Sequence, residues 1–202
     1  MVPIVVCTVG SGSLSVLEAS VKAYCPGVEL LVSKGSKGNF GDDYNDAVNA
    51  AFEKHDEIIV ANDDIVLTPS SYKTLLDDVE RLKKRFKVGW VAARSDEVRS
   101  MQAGKSNQIL AVSVVSPLFA YISKEAWENF PPINWYSDDV QCIDISKKGF
   151  RHFVSRAYVH HVGSSTIGQD NNKNHLAAEP WIKTNRPELY RVWFKTRELK
   201  IA

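Results

Sequence analysis

Apolar and polar positions alternate between two periods along the first half of the chain. Pro3–Val9 is an almost unbroken β-branched run ending at Gly10-Ser11-Gly12, which predicts a buried strand and its exit turn. Ser13 or Ser15 caps a helix reaching Tyr24, stopped by Pro26-Gly27, and Val28–Ser33 reads as a second strand. The glycine-rich stretch Lys34–Gly41 is irregular, after which Asp42 or Asp43 opens a helix with Tyr44, Ala47, Val48, Ala51 and Phe52 on one face. Glu57–Ala61 is a third strand, running into Asn62-Asp63-Asp64. From Pro69-Ser70-Ser71 a long helix carries the stripe Tyr72, Leu75, Leu76, Val79, Leu82 and Phe86, with Glu80 and Lys84 paired on its polar face. Val88–Ala93 is a fourth strand.

This β-α-β-α-β-α-β order calls for a parallel sheet covered on both faces. The second half is less regular. Strands are expected at Ile109–Val115, Ala120–Ile122 and Phe153–Val159, and helices at Lys124–Asn129 and Val140–Lys148. Gly163–Asn174 is expected to be a mobile loop, and Arg186–Lys200 a basic terminal helix that packs its aromatic side on the domain.

Composition narrows the function classes. At 202 residues the chain suits one domain, and 25 Lys+Arg against 24 Asp+Glu argues against a general nucleic-acid binder. No apolar run reaches the length of a membrane span, and Ile4–Val9 lacks the flanks of a signal peptide. Cys7, Cys25 and Cys142, odd in number and widely spaced, read as reduced core thiols. A soluble, cytoplasmic protein is the expectation.

Four groups are candidates for chemistry. Gly10-Ser-Gly12 lacks the third glycine of a dinucleotide fingerprint (Ser15 stands there), and Glu29 lies at the wrong end of the second strand. Asn62-Asp63-Asp64, directly after an apolar strand, suits a hard divalent cation or a solvated turn. Ser137-Asp138-Asp139 suits a helix cap or a general base. His160-His161 ends the last strand, where alternation points at most one ring into a given site.

In this order the pieces resemble nucleotide-sugar glycosyltransferases of GT-A fold, especially family 2 and its rhamnosyltransferase-like members. The resemblance covers roughly Pro3 to Ser165. It is carried by NFGDDYNDAV (Asn39 to Val48), ANDDIVLTP (Ala61 to Pro69), WYSDDVQCIDISKKGF (Trp135 to Phe150) and YVHHVGSS (Tyr158 to Ser165). It implies a single α/β domain with a mixed, mostly parallel, Rossmann-like sheet flanked by helices. Residues 1–95 would be the nucleotide-binding half, 96–165 the acceptor and catalytic half, and 166–202 the mobile loop and C-terminal helix.

The implied activity is metal-dependent transfer of a hexose from a nucleotide diphosphate sugar, UDP-sugar favoured, to a hydroxyl on a glycan, lipid or small molecule. Thr8, Val9, Gly10, Asn39, Tyr44, Asn45, Asn62, Asp63 and Arg94 would surround the donor. Asp64 and His161 would hold Mn²⁺ or Mg²⁺, with His160 as the alternative to His161. Asp138 or Asp139 would be the catalytic carboxylate. Ser95 and Asp96, beside Arg94, are further donor-sugar candidates. The rival classes are a metal-dependent hydrolase or nuclease built on the two Asp pairs, and a non-catalytic nucleotide-sugar binder.

Overall fold

A computed structural model describes residues 1–10, 13–96, 98–162 and 171–195. The first half follows the expected alternation: β1 (Ile4–Thr8), α1 (Leu14–Tyr24), β2 (Leu30–Lys34), α2 (Phe40–Phe52), β3 (Glu57–Ala61), β4 (Ile65–Leu67), α3 (Ser71–Lys83) and β5 (Val88–Arg94). The short β4 was not expected. The second half holds β6 (Leu110–Val112), β7 (Phe119–Ser123), α4 (Ser137–Lys147), β8 (Arg151–His161), α5 (Asn171–Asn185) and α6 (Pro187–Tyr190).

One sheet of eight strands runs β2-β1-β3-β7-β5-β8-β4, with β6 also paired to β8. β1, β2, β3, β5 and β8 point one way and β4, β6 and β7 the other, so the sheet is mixed and mostly parallel in direction. β7 separates β3 from β5, running antiparallel to both. Its residues Phe119–Ile122 are fully buried, which explains why they read as core without revealing their place in the sheet. One core lies under α1 and α3, the other under α2 and α4.

Several sequence expectations are corrected. Residues 124–126 form a turn rather than the start of a helix, and the chain then runs without regular structure to Pro131-Pro132, where proline removes the N–H groups a helix needs. Lys83, not Lys84, pairs with Glu80 (3.1 Å), since Glu57 at 2.6 Å draws it across the sheet edge. Asn39, rather than an aspartate, caps α2: its Oδ1 accepts from the Asp42 N–H (2.8 Å) and its Nδ2 donates to Asp42 Oδ2 (2.9 Å). Of the expected loop, residues 171–174 begin α5, while 163–170 lie outside the described residues. The expected terminal helix is broken into α6 and a wide turn, Arg191–Lys195, and 196–202 also lie outside them.

The three cysteines are buried and free, as expected. Burial, then the nearby Asp43 and Asp63 carboxylates, push the Cys7 thiol up to about 11, which leaves it unreactive.

Contacts to the sheet and to α2 anchor the irregular half. His152 Nδ1 accepts from the Trp90 N–H (3.1 Å), and its Nε2 meets the Cys142 carbonyl (2.9 Å). Trp90 Nε1 donates to Gln141 Oε1 (2.8 Å), so α4 is bolted to β5 from two sides. Gly41 lies so close to the Pro131 carbonyl that a Cβ would sit 1.9 Å from it. That approach lets the 130–134 segment cross the start of α2, where Asn134 Oδ1 accepts from the Phe40 N–H (2.7 Å).

Candidate active site

β1, β3, β5 and β8 all end at one edge of the sheet, the edge where ligands of open α/β folds bind. A cleft of about 740 Å³ opens there. Val9, Asn39, Tyr44, Asn62, Asp63, Asp64, Asp138, Asp139 and His161 all line it, as do Phe40, Asp43, Arg99, Ser116, Asn134, Trp135 and Tyr136. Residues from both halves of the chain, Val9 at one end and His161 at the other, thus converge on one space.

One wall is built by the turn after β3. Asp63 Oδ2 accepts from Thr8 Oγ1 (2.6 Å), and Thr8 Oγ1 in turn accepts from the Gly10 N–H (3.0 Å). The chain then folds back as β4 against β8, and the Val162 N–H donates to the Asp64 carbonyl (2.8 Å). This return brings His161 Nε2 to 3.1 Å from Asp64 Oδ2, both side chains more than nine-tenths buried. Asp64 Oδ1 is buried with no hydrogen-bond partner among the described residues, a costly state for a carboxylate oxygen.

A hard oxygen without a partner beside an imidazole fits a divalent cation. Among the described residues no cluster of three or more His, Cys, Asp or Glu side chains surrounds such a position. The described residues therefore offer Asp64 and His161 as donors, and other oxygens would have to complete the shell.

Strand alternation separates the two histidines. His160 is exposed and meets Asp96 Oδ2 (3.2 Å), while the His161 N–H donates to Asp96 Oδ1 (2.9 Å). Burial works to raise the Asp96 carboxyl, but these bonds and one from the Ser95 hydroxyl outweigh it and hold it well below the usual range.

The opposite wall is the start of α4. Arg99 NH2 lies 2.8 Å from Asp138 Oδ2 and 2.6 Å from Asp139 Oδ2, and its NH1 lies 3.1 Å from Asp139 Oδ1. Nε donates to Ser116 Oγ (2.9 Å), so one guanidinium organises both carboxylates. Buried Gln102 fixes this corner through the Ser116 backbone, donating to its carbonyl (2.8 Å) and accepting from its N–H (3.0 Å). Burial and the adjacent Asp138 charge push Asp139 up to about 6, against the lowering effect of Arg99. A carboxylate poised there is suited to accept a proton near neutral pH.

Tyr136, which precedes α4, has φ 69 and is the one non-glycine in the left-handed region among the described residues. Such strain costs on the order of 1–3 kcal/mol and clusters at functional sites.

Of the expected donor residues, Thr8, Gly10, Asn45 and Arg94 are not among those lining the cleft, and Tyr44 lines it with its hydroxyl spent on the backbone. Asn45 donates to the Phe130 carbonyl (2.8 Å) and accepts from its N–H (2.7 Å), so its carboxamide braces the 130–134 segment instead of lining the cleft. The Tyr44 hydroxyl donates to the Ala61 carbonyl (2.9 Å), leaving only its ring to the cleft. Arg94 is buried outside the cleft wall, donating to the Gln108 carbonyl (3.2 Å).

Sequence reasoning missed Arg99 and Ser116. A single arginine in a loop past a strand carries no signal until the fold brings α4 against it.

No family model and no curated protein sequence matches the chain. Solved structures do resemble it. A197 from STIV superposes with a TM-score of 0.59 at 14% identity, covering 81% of this chain and 87% of that one. S. aureus TarS 1-349 in complex with UDP gives 0.57 at 14% identity, covering 95% and 75%. The longer S. aureus TarS structure gives 0.56 at 15% identity, over 90% of this chain and 40% of that one. At this identity the likeness is one of fold, and the fold is the GT-A arrangement whose motifs the sequence resembles.

Proposed function

We propose that the cleft transfers a hexose from a nucleotide diphosphate sugar, with UDP-sugar favoured, to an acceptor hydroxyl, using Mn²⁺ or Mg²⁺ at Asp64 and His161. One observation carries this reading. A single cleft has an unpartnered Asp64 oxygen on one wall and a carboxylate with raised proton affinity, Asp139, on the other. The UDP in the TarS complex supports the choice of nucleotide class.

In the inverting form of the reaction, the acceptor oxygen attacks the anomeric carbon and its proton passes to Asp139. The bond from that carbon to the diphosphate breaks, and the nucleoside diphosphate leaves. A bound divalent cation would supply charge neutralisation of the departing diphosphate. Asp138 and Arg99 orient Asp139, and Asp63, held by Thr8, stands on the wall that would face the ribose. No helix among the described residues is long and apolar enough to cross a membrane.

Thermal unfolding with a panel of nucleotides and nucleotide sugars, with and without Mn²⁺, tests the reading. A ligand at 100 times its Kd stabilises by about 2.7 kcal/mol, which is readily seen. The expected result is a metal-dependent shift for UDP compounds, lost in Asp64→Ala. No shift for any nucleotide overturns the reading, and binding without transfer to any acceptor leaves a nucleotide-sugar binder in its place.

A further inference from the structure

Beyond Asp139 the cleft wall becomes aromatic. Trp135 and Tyr136 line it side by side, ring centroids 6.3 Å apart. The two rings have different partners. Tyr136 is taken up by the C-terminal segment: its ring stacks on Trp193 at 4.7 Å, and its hydroxyl lies 2.8 Å from His175 Nδ1. Trp135 is half-buried, packs against the same cluster and also lines the cleft.

Charge in the cleft narrows the occupant further. Among the described residues, Asp43, Asp63, Asp64, Asp138 and Asp139 line it against one arginine, Arg99, already shared by two of them. A divalent cation at Asp64 and His161 would offset the first wall and the donor diphosphate, so an acceptor bearing phosphate, sulfate or uronate would meet the carboxylates on the α4 side, which Arg99 only partly compensates. A neutral polyol meets no such penalty. Its hydroxyls donate to carboxylates, while the C–H face of a pyranose buries apolar area on an indole ring. An acyl chain would leave the carboxylates facing hydrocarbon.

We infer that the acceptor is a neutral saccharide, with one pyranose ring packed on Trp135 so that a hydroxyl reaches Asp139. This deepens the transferase reading and rests on it, because it takes the α4 wall as the acceptor side.

The test is equilibrium binding to the full chain, by calorimetry and tryptophan fluorescence, in the presence of UDP and Mn²⁺. The probes are maltotriose, cellotriose, chitotriose and mannotriose, each set against a phosphate- or uronate-bearing counterpart. The expected result is saturable binding of at least one neutral trisaccharide, with its anionic counterpart at least about tenfold weaker. Trp135→Ala is expected to weaken that binding more than about tenfold and Trp135→Phe by only about threefold, with unfolding midpoints confirming that both variants fold.

Tighter binding of the anionic probes, no binding of any neutral one, or unchanged affinity in Trp135→Ala each overturns the inference. A UDP shift without saccharide binding defeats this inference alone. Saccharide binding without a UDP shift defeats the donor reading instead.

Discussion

The same dipeptide, Asp-Asp, stands on both walls of the cleft and has opposite surroundings on each. Asp63 and Asp64 face a hydroxyl and an imidazole, and one Asp64 oxygen is buried without a partner. Asp138 and Asp139 share a guanidinium that reaches both, and the more buried member is raised toward neutrality. A pair short of positive charge attracts a cation. A carboxylate raised by burial and by a neighbouring carboxylate, even against a guanidinium that lowers it, is placed to trade a proton. Paired carboxylates therefore specify no chemistry in themselves; the elements folded against them decide it.

The proton-trading wall yields the largest expected effect. Asp139→Asn keeps the shape of the side chain but cannot accept a proton, so transfer should fall by about 10²–10⁴-fold. The measurement is single-turnover transfer beside the UDP-induced thermal shift. A loss confined to transfer places Asp139 at the chemistry, whereas near-normal transfer moves the base to Asp138.

On the other wall, Asp64→Asn removes the negative charge on which a cation depends. Turnover should drop by about 10²–10³-fold through lost stabilisation of the leaving group. The Mn²⁺ dependence of UDP binding should vanish with it. Retained metal dependence would show that the two walls differ less than their partners imply.

How much of this contrast was legible in the sequence depends on the range of the interactions. Strand and helix periods of the first half are local, and α2, β3, α3 and β5 fall where those periods put them. The insertion of β7 between β3 and β5 is a choice among partners far apart in the chain, and no local pattern records it. The same holds within the site. Both cleft pairs were visible because each follows or opens an element, but Arg99 lies 39 and 40 residues from its carboxylates. His160 and His161 were separable only once β4 had folded back onto β8.

One signal was present and overlooked. Asp78, in another Asp-Asp pair, falls at buried helical spacing between Leu75 and Leu82. It is fully buried, accepting from Ser155 Oγ (2.7 Å), the Arg156 N–H (2.8 Å) and the Arg156 guanidinium, and it ties α3 to β8.

Arg99 offers a subtler way to sharpen the contrast. For Asp139 to act as a base it must be unprotonated, so activity should decline as pH falls through about 6. Arg99 lowers that value, and Arg99→Met removes the lowering while leaving the repulsion of Asp138. The acidic limb of the pH–rate profile should therefore move to higher pH, with the Mn²⁺ dependence of UDP binding kept. A limb that stays in place would mean that another group sets it.

The smallest effect comes from a pair whose carboxylates are spent on local structure. Asp43 Oδ1 accepts from the N–H groups of Ser36 (2.8 Å) and Lys37 (2.9 Å), and Asp42 completes the Asn39 cap of α2. Asn39→Ala frees the Asp42 N–H and should cost about 1 kcal/mol, the usual worth of such a cap. For a chain of this size that lowers the unfolding midpoint by about 2–4 °C. Asn39→Ser, which keeps an oxygen acceptor, should recover most of it. If both variants melt alike, the cap is idle in the folded protein. If both also lose the UDP shift, Asn39 serves the ligand more than the helix, and this pair too would belong to the chemistry of the cleft.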